Sequence, residues 1–480
     1  MTTAATGLAD RLRDLLGPDR VLEGDLARSL YSHDGSIVDG ACGLVVLPET
    51  TEEVSACMRM AHAAGVEVTP RGSGTGLTGG AVPLDGGLVV SLARMRAMDE
   101  VDVANSCVWV QPGVLNLDVS TAVAHLGLHY APDPSSQQAC SIGGNVGTNA
   151  GGPHCLAYGV TVQHVMGVEM VRPDGEVVVL GGVAPDPPGY DLRGVVVGAE
   201  GTVGVVTRVL LRLTPLPPDV RTMLLDFTTV ADASAVVQGV IAEGVIPAAL
   251  EMMDRNMTLA VEEFVHAGLP TDAAALLLVE VDGTEAEVTT ATAVVERVAR
   301  EHGVRTVRVA RDEDERALLW KARKTAFGAV ARVKPSYYLH DCVVPRTKLV
   351  EIMEAIGEIT EREGVMCLNV FHAGDGNLHP IIALDRSDPD ETARAMRAGD
   401  QIVRACVAMG GTLSGEHGIG VEKRDYMPLV FDHDDLEAQA CVRRAFDPSG
   451  RMNPDKVLPT GTRCGEVGLA DAQVPEGTWI

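Results

Sequence analysis

Residues 71–80 read RGSGTGLTGG, with Gly74, Gly76 and Gly79 spaced as G-x-G-x-x-G. That spacing marks the first turn of a Rossmann unit, where the third glycine opens a helix whose N-terminus takes a pyrophosphate. Here the chain continues GAVPLDGGLVV, and Pro83, Asp85, Gly86 and Gly87 break a helix at once. The Rossmann reading fails. What remains is a run of unhindered backbone N–H groups after Arg71, which forms an anion-binding nest without any helix. A plain surface turn needs no such density of glycine, so the stretch is read as a phosphate cradle.

The flanks set the cradle in an α+β frame. Residues 49–65, ETTEEVSACMRMAHAAG, predict a helix: Thr50 and Glu53 suit a capping box, Val54, Cys57, Met58 and Ala61 share one face, and Gly65 closes the end. VEVTP (66–70), GLVVSLA (87–93) and VWVQPG (108–113) read as strands, and 167–180 as a hairpin turning at Pro173-Asp174-Gly175. Two further glycine-rich stretches follow, APDPSSQQACSIGGNVGTNAGG (131–152) and VVGAEGTVGVVTRVLL (196–211). In the first, Pro132 and Pro134 stiffen an extended approach. Gly143 and Gly144 let backbone come close to a flat group, and Asn145, Thr148 and Asn149 offer donors and acceptors.

The prolines of LTPLPPD (213–219) mark a linker. Beyond it strands are expected at 275–283, 303–310, 337–345 and 366–384, separated by charged helices at 285–302, 312–332, 346–363 and 388–409. Three parts follow: 1–215, 216–445, and a C-terminal segment 446–480 whose last fifteen residues are expected to be loose.

Composition limits the partners. The formal charge is −27, from 39 basic and 66 acidic residues, which disfavours nucleic acid and anionic membranes. Ten cysteines lie scattered with no C-x-x-C, so reduced, mostly buried thiols of a cytoplasmic protein are expected, with no iron–sulfur cluster in this chain. The N-terminal twenty residues read as a short amphipathic helix rather than a signal peptide, and no apolar run reaches the ~18 residues of a membrane span.

Chemistry concentrates in two places. NVFHAGDGNLHP (369–380) sets His372 and His379 on two strands joined by a tight AGDGN turn, so both imidazoles project to one side. TLSGEHGIG (412–420) puts Glu416 and His417 between glycines. A lone histidine is ordinarily a satisfied core residue. Wrapped in glycine, which weakens strands and marks close approach, this set has a stronger reading. Two histidines and a carboxylate are a minimal set for a catalytic divalent metal that keeps open positions.

Taken together, APDPSSQQACSIGGNV, NAGGPHCLAYG, HAGDGNLHP and SGEHGIGVEK, in this order, resemble the FAD-linked oxidases of the vanillyl-alcohol-oxidase type. The resemblance covers roughly residues 20–460. It is strongest to the D-2-hydroxyacid dehydrogenase branch, and within it to the flavin-bearing subunits of bacterial glycolate oxidases. It implies an α+β chain: a vanillyl-alcohol-oxidase/PCMH-type FAD-binding domain plus a C-terminal α/β cap domain with a mainly antiparallel sheet.

For FAD the resemblance implies that Arg71, Gly72, Ser73, Gly74, Thr75 and Gly76 hold the pyrophosphate. Pro132, Ser135, Gly143, Gly144, Asn145 and Thr148 line the isoalloxazine and ribityl region, Glu200, Gly201 and Val206 approach the adenine half, and Asn453 lies near the ring. No histidine stands in the 71–80 loop, so the flavin is expected to be non-covalent. His372, His379 and Glu416 are implied to bind a divalent metal (Zn, Mn or Fe), with His417 as the base. Imidazole, with an ordinary pKa near 6.5, suits a base at neutral pH. Arg323 is implied to bind the substrate carboxylate, with Asn377 on the substrate or beside Asp375 behind the metal.

Relatives acting on 2-hydroxyglutarate carry a lysine two residues before the aspartate aligned with Asp341. Leu339 stands there, which argues for a small monoacid. The implied reaction oxidises glycolate or D-lactate, with hydride passing to flavin N5 and electrons leaving to an iron–sulfur subunit beside a second flavin subunit. The implied location is cytoplasmic, at most peripheral at the inner face of the membrane. A stand-alone D-lactate dehydrogenase and a non-catalytic flavin-binding subunit are the alternatives.

Overall fold

The computed structural model describes residues 3–184 and 189–459; the last fifteen residues and Cys464 lie outside them. The chain divides into two compact units. One gathers the described residues up to Gly151, Val160–Leu216 and those from Glu416 on; the other holds Gly152–Gly159 and Pro217–Gly415.

The first unit contains two four-stranded sheets. In one, Leu44–Val46 and Val68–Arg71 run parallel to Leu88–Ser91, and Val21–Leu22 adds antiparallel. The expected helix forms over Thr51–Ala64, with Thr50 accepting from the Glu53 N–H and Gly65 left-handed at the far end. Only half of the capping box forms: the Glu53 carboxylate goes instead to the Glu49 N–H at 2.7 Å and to Arg20. Val54, Cys57, Met58 and Ala61 pack on Leu8, Leu12, Leu44, Val68 and Leu88 in a continuous core. The other sheet is antiparallel, ordered Cys107–Val110, Val205–Arg212, Val165–Val171, Val177–Gly181, and contains the expected hairpin.

One element carries no signal in the sequence reading. The glycine-rich run after residue 140 is a helix over Ile142–Thr148, capped by Ser141. Glycine disfavours helix, but a Cβ on Gly143 would lie 2.5 Å from the Pro112 ring, so packing demands glycine there and overrides propensity.

The second unit is built on a nine-stranded sheet whose pairings are all antiparallel. Its centre is the ladder of Asp219–Phe227, Ala275–Gly283, Ala249–Asp254 and Met366–His372. Charged helices expected from their periodicity, Glu285–Glu301, Leu349–Glu363 and Pro389–Ala408, bury their apolar stripes. The helix expected over 312–332 is two, Glu313–Lys324 and Ala326–Val333, separated at Thr325.

Within the apolar strand ALLLVEVDG, Glu280 is 2% exposed. It accepts from Trp320 Nε1 at 2.6 Å, Arg316 Nε and Nη2 at 2.9 Å and the hydroxyl of Thr222, and His154 Nε2 lies 3.2 Å away. Tyr158 donates to Asp282 on the same strand, so residues 152–159 are fastened to this sheet. Burial pushes the Glu280 carboxyl up, but His154 and Arg316 outweigh it and hold it far below the usual range.

The sign of the resulting linkage is definite. A depressed folded-state pKa gives stability that is fully present above the unfolded value of about 4.3 and is lost progressively as pH falls from there through the folded-state value. Glu280→Gln should lower the unfolding free energy by about 3 kcal/mol at pH 7, since it leaves Arg316 partly buried without its carboxylate. In urea titrations the gap between wild type and variant should shrink below about pH 4; a gap independent of pH would refute the account.

Candidate functional site

Seven of the nine described cysteines are buried, Cys155 is half-buried and Cys441 exposed, and none of the nine is in a disulfide. No helix among the described residues is long and apolar enough to cross a membrane.

The cradle leaves the end of the strand Val68–Arg71. No helix follows it, and the next regular element is the strand Leu88–Ser91. Arg71 is 8% exposed: Nη1 donates to the Ala81 carbonyl at 3.2 Å, and the guanidinium lies 5.4 Å from the Tyr31 ring centroid. Burial pulls the Arg71 pKa down against the opposing charge of Asp34. The guanidinium packs directly on the loop. A Cβ on Gly74, where φ is +73°, would lie 2.1 Å from Arg71 Nη2, and one on Gly72 would lie 2.4 Å from Ser141 Oγ. Arg71 and Ser141 thus pack against a strip of backbone at its glycines, and the left-handed backbone at Gly74 favours glycine there. Gly72, Ser73, Gly74, Thr75 and Gly76, the residues expected to hold the pyrophosphate, make up this strip, and Gly74 is its left-handed residue.

The second glycine stretch meets this strip through Ser141, the cap of the helix holding Gly143, Gly144, Asn145 and Thr148. Asn116 Nδ2 donates to the Pro132 carbonyl and to Asn145 Oδ1, both at 3.0 Å, tying the Pro132–Ser135 approach to that helix. Val206 lies on the strand Val205–Arg212, opposite Met170. Gly201 and Glu200 are both left-handed, with φ of 72° and 51°. Asn453 is buried, and its Nδ2 donates to the carbonyls of Gly80 (2.8 Å) and Glu200 (2.7 Å). The Glu200 carboxylate faces elsewhere: it accepts from the N–H groups of Ile419 and Gly420.

In the second unit the two histidine strands form the expected tight turn: His372 pairs with Asn377, and the Asp375 carboxylate accepts from the Asn377 N–H at 3.0 Å. The His372 and His379 rings lie 5.1 Å apart and nearly perpendicular, both 5% exposed or less. His372 Nδ1 donates to Glu251, 2.7 Å from Oε1. A carboxylate accepts, so that bond puts the proton on Nδ1 and leaves the Nε2 lone pair as the one a metal would take, an arrangement metal-bound histidines share.

Glu251 also takes Arg323, which is 1% exposed: Nε donates at 2.7 Å, and Nη2 lies 2.5 Å from Oε2. Burial pushes the Glu251 carboxyl up, but Arg323 and His372 outweigh it and hold it below the usual carboxylate range. Arg323 Nη1 and Asn377 Oδ1 are buried without a hydrogen-bond partner among the described residues. A buried orphan donor and a buried orphan acceptor are costly unless a ligand satisfies them.

Asp341, fully buried, accepts from Ser414 Oγ at 2.5 Å and from the Gly415 N–H at 3.1 Å. It thereby fixes the chain immediately before Glu416. In the first unit, His417 Nε2 lies 3.9 Å from Glu416 Oε1, and Thr78 Oγ1 donates to the His417 carbonyl at 3.4 Å.

Glu251 and the holding role of Asp341 are not readable from the motifs. The one available signal for Glu251 is a carboxylate inside the apolar strand Ala249–Asp254, where a lone charge needs partners.

The architecture is that of the PCMH-type flavoproteins. It superposes on 4-ethylphenol oxidase from Gulosibacter chungangensis with a TM-score of 0.82 at 19% identity, covering 96% of this chain and 99% of that one. For p-cresol methylhydroxylase the TM-score is 0.82 at 16% identity, covering 95% of this chain and 98% of that one. Residues 43–181 match the family model "FAD binding domain", and residues 216–457 match "FAD linked oxidases, C-terminal domain".

The glycolate oxidase subunit GlcD of Escherichia coli is 46% identical over 425 residues, covering 88% of this chain and 85% of that protein. GlcD of Bacillus subtilis is 36% identical, covering 95% and 97%. A D-lactate dehydrogenase of Anaerostipes hadrus is 32% identical, covering 92% and 95%. The chain belongs to the FAD-linked oxidase family, in its 2-hydroxyacid dehydrogenase group, and is an FAD-linked oxidoreductase.

Proposed function

We propose that this protein oxidises a small D-2-hydroxy acid, glycolate to glyoxylate or D-lactate to pyruvate, with non-covalent FAD and a divalent metal. The observation carrying the proposal is the buried cluster of Glu251, Arg323, His372 and Asn377, in which Arg323 Nη1 and Asn377 Oδ1 await a polar ligand.

FAD supplies the two-electron acceptor for the hydride leaving C2. A divalent ion, held by His372, His379 and Glu416, supplies Lewis acidity toward the 2-hydroxyl. Arg323 binds the substrate carboxylate, with Glu251 fixing the plane of its guanidinium. Asn377 Oδ1 accepts from the substrate, and His417 takes the hydroxyl proton on a ring nitrogen. FAD itself is held by Arg71 to Gly76, Pro132, Ser135, Gly143, Gly144, Asn145, Thr148, Gly201, Val206, Asn453 and the backbone of Glu200.

Leu339, 6% exposed, adds no cation for a second carboxylate, which favours the monoacids. Since the GlcD relatives are named as subunits, an iron–sulfur subunit and a second flavin subunit are the inferred outlet for electrons. The D-lactate dehydrogenase relative supports the stand-alone alternative, which copurification would separate.

The test is anaerobic mixing of the metal-replete, FAD-loaded protein with glycolate and then D-lactate, following flavin absorbance at about 450 nm. Rapid bleaching by either acid is expected, and the faster one names the substrate. Absence of bleaching by both would point to a flavin-holding subunit without catalysis or to another hydroxy acid as the substrate.

A further inference from the structure

Glu200 carries more structure than a cofactor-binding turn requires. It is a non-glycine residue at φ 51° and only 7% exposed, in a turn where glycine or asparagine would relieve the backbone. Its carboxylate accepts from Ile419 N–H (Oε1, 2.7 Å) and Gly420 N–H (Oε2, 2.9 Å; Oε1, 3.2 Å). A Cβ on Gly418 would stand 2.7 Å from Oε1 and one on Gly80 2.9 Å from Oε2, so the carboxylate fits tightly between two backbones.

Further bonds run the same way. Thr78 O accepts from Val421 and Glu422 N–H at 2.9 and 3.2 Å, Val457 N–H donates to Gly420 O at 2.9 Å, and Asn453 Nδ2 bridges the Glu200 and Gly80 carbonyls. The segment that follows Glu416 and His417 is thus hung from the far half of the glycine loop, with Glu200 as the side-chain hook.

We infer that Glu200 is a positioning residue for Glu416 and His417, setting the height of that segment against the glycine loop rather than binding FAD through its side chain. The inference rests on the functional reading above for what His417 does, but its first test does not. Hydrogen exchange of the holoprotein should show peptides spanning 417–422 exchanging at least about ten-fold faster in Glu200→Ala than in wild type, with 71–76 and 142–148 unchanged.

In anaerobic flavin reduction at saturating acid, Glu200→Ala should lose about a hundred-fold in rate per bound flavin, since ångström-scale misplacement of a reacting group has that effect. Its FAD stoichiometry should stay at the wild-type value. Glu200→Gln, which keeps one carbonyl acceptor, should recover most of the rate. Glu200→Asp, which keeps the charge but retracts it by one methylene, should not.

Loss of FAD with an unchanged rate per bound flavin would overturn the inference, as would wild-type exchange at 417–422. Should Glu200→Ala fail to fold, Glu200→Asp decides: a wild-type rate there sinks the idea. A wild type that neither acid bleaches counts against the functional reading and leaves the exchange result to judge Glu200.

Discussion

Replacing His417 with alanine is expected to slow flavin reduction by the hydroxy acid about 10²- to 10⁴-fold, the range a positioned general base contributes. FAD should remain bound at wild-type stoichiometry. The separation follows from where the residue is anchored. The backbone strip at 72–76 packs on Arg71 and Ser141, and the approach at 132–148 is tied by Asn116; none of these contacts involves the imidazole. Thr78 Oγ1 on the His417 carbonyl ties this residue to the glycine loop, a backbone contact that alanine preserves. Stopped-flow reduction under anaerobic conditions, normalised to flavin content, measures the effect, and added imidazole should restore part of the rate. A variant reduced as fast as wild type would remove His417 from the proton transfer.

The helix-free course of the glycine loop and its α+β frame were legible because their signals are local. The Pro83-to-Gly87 run forbids a helix after Gly79, and the structure has a strand next at Leu88–Ser91. The helix over Thr51–Ala64 and the strand Ala275–Gly283 likewise follow from caps and apolar runs within their own windows. The His372–His379 turn was legible for the same reason, since two glycines and an Asx contact make it tight.

What stayed hidden depends on distant partners. Glu251 meets Arg323 across 72 positions and His372 across 121, and Glu200 meets Ile419 across 219, so no window of sequence contains both ends of these bonds. The Ile142–Thr148 helix was hidden by a conflict of levels: its glycines lower helix propensity, while the Pro112 ring that requires Gly143 lies about thirty residues away.

Glu251→Gln should be the most damaging change in the second unit, and by two separable routes. Arg323 is 1% exposed, so loss of its carboxylate leaves a buried cation uncompensated, at a cost of about 3–5 kcal/mol in urea unfolding. His372 loses the ionised acceptor at Nδ1, and such outer partners are worth about 10- to 100-fold in metal affinity. Retained metal after dialysis against graded chelator reads the second route without reference to activity. The double change Glu251→Leu with Arg323→Met tells the routes apart. Replacing a buried ion pair by apolar groups of similar volume is close to neutral, so most of the stability should return. Metal affinity should stay low because nothing then orients His372, and flavin reduction should stay lost because no guanidinium meets the substrate carboxylate. Should the double variant regain metal affinity along with stability, Glu251 serves only to neutralise Arg323. Should Glu251→Gln keep wild-type metal affinity while losing stability, His372 is a core histidine and the divalent ion is held by other residues.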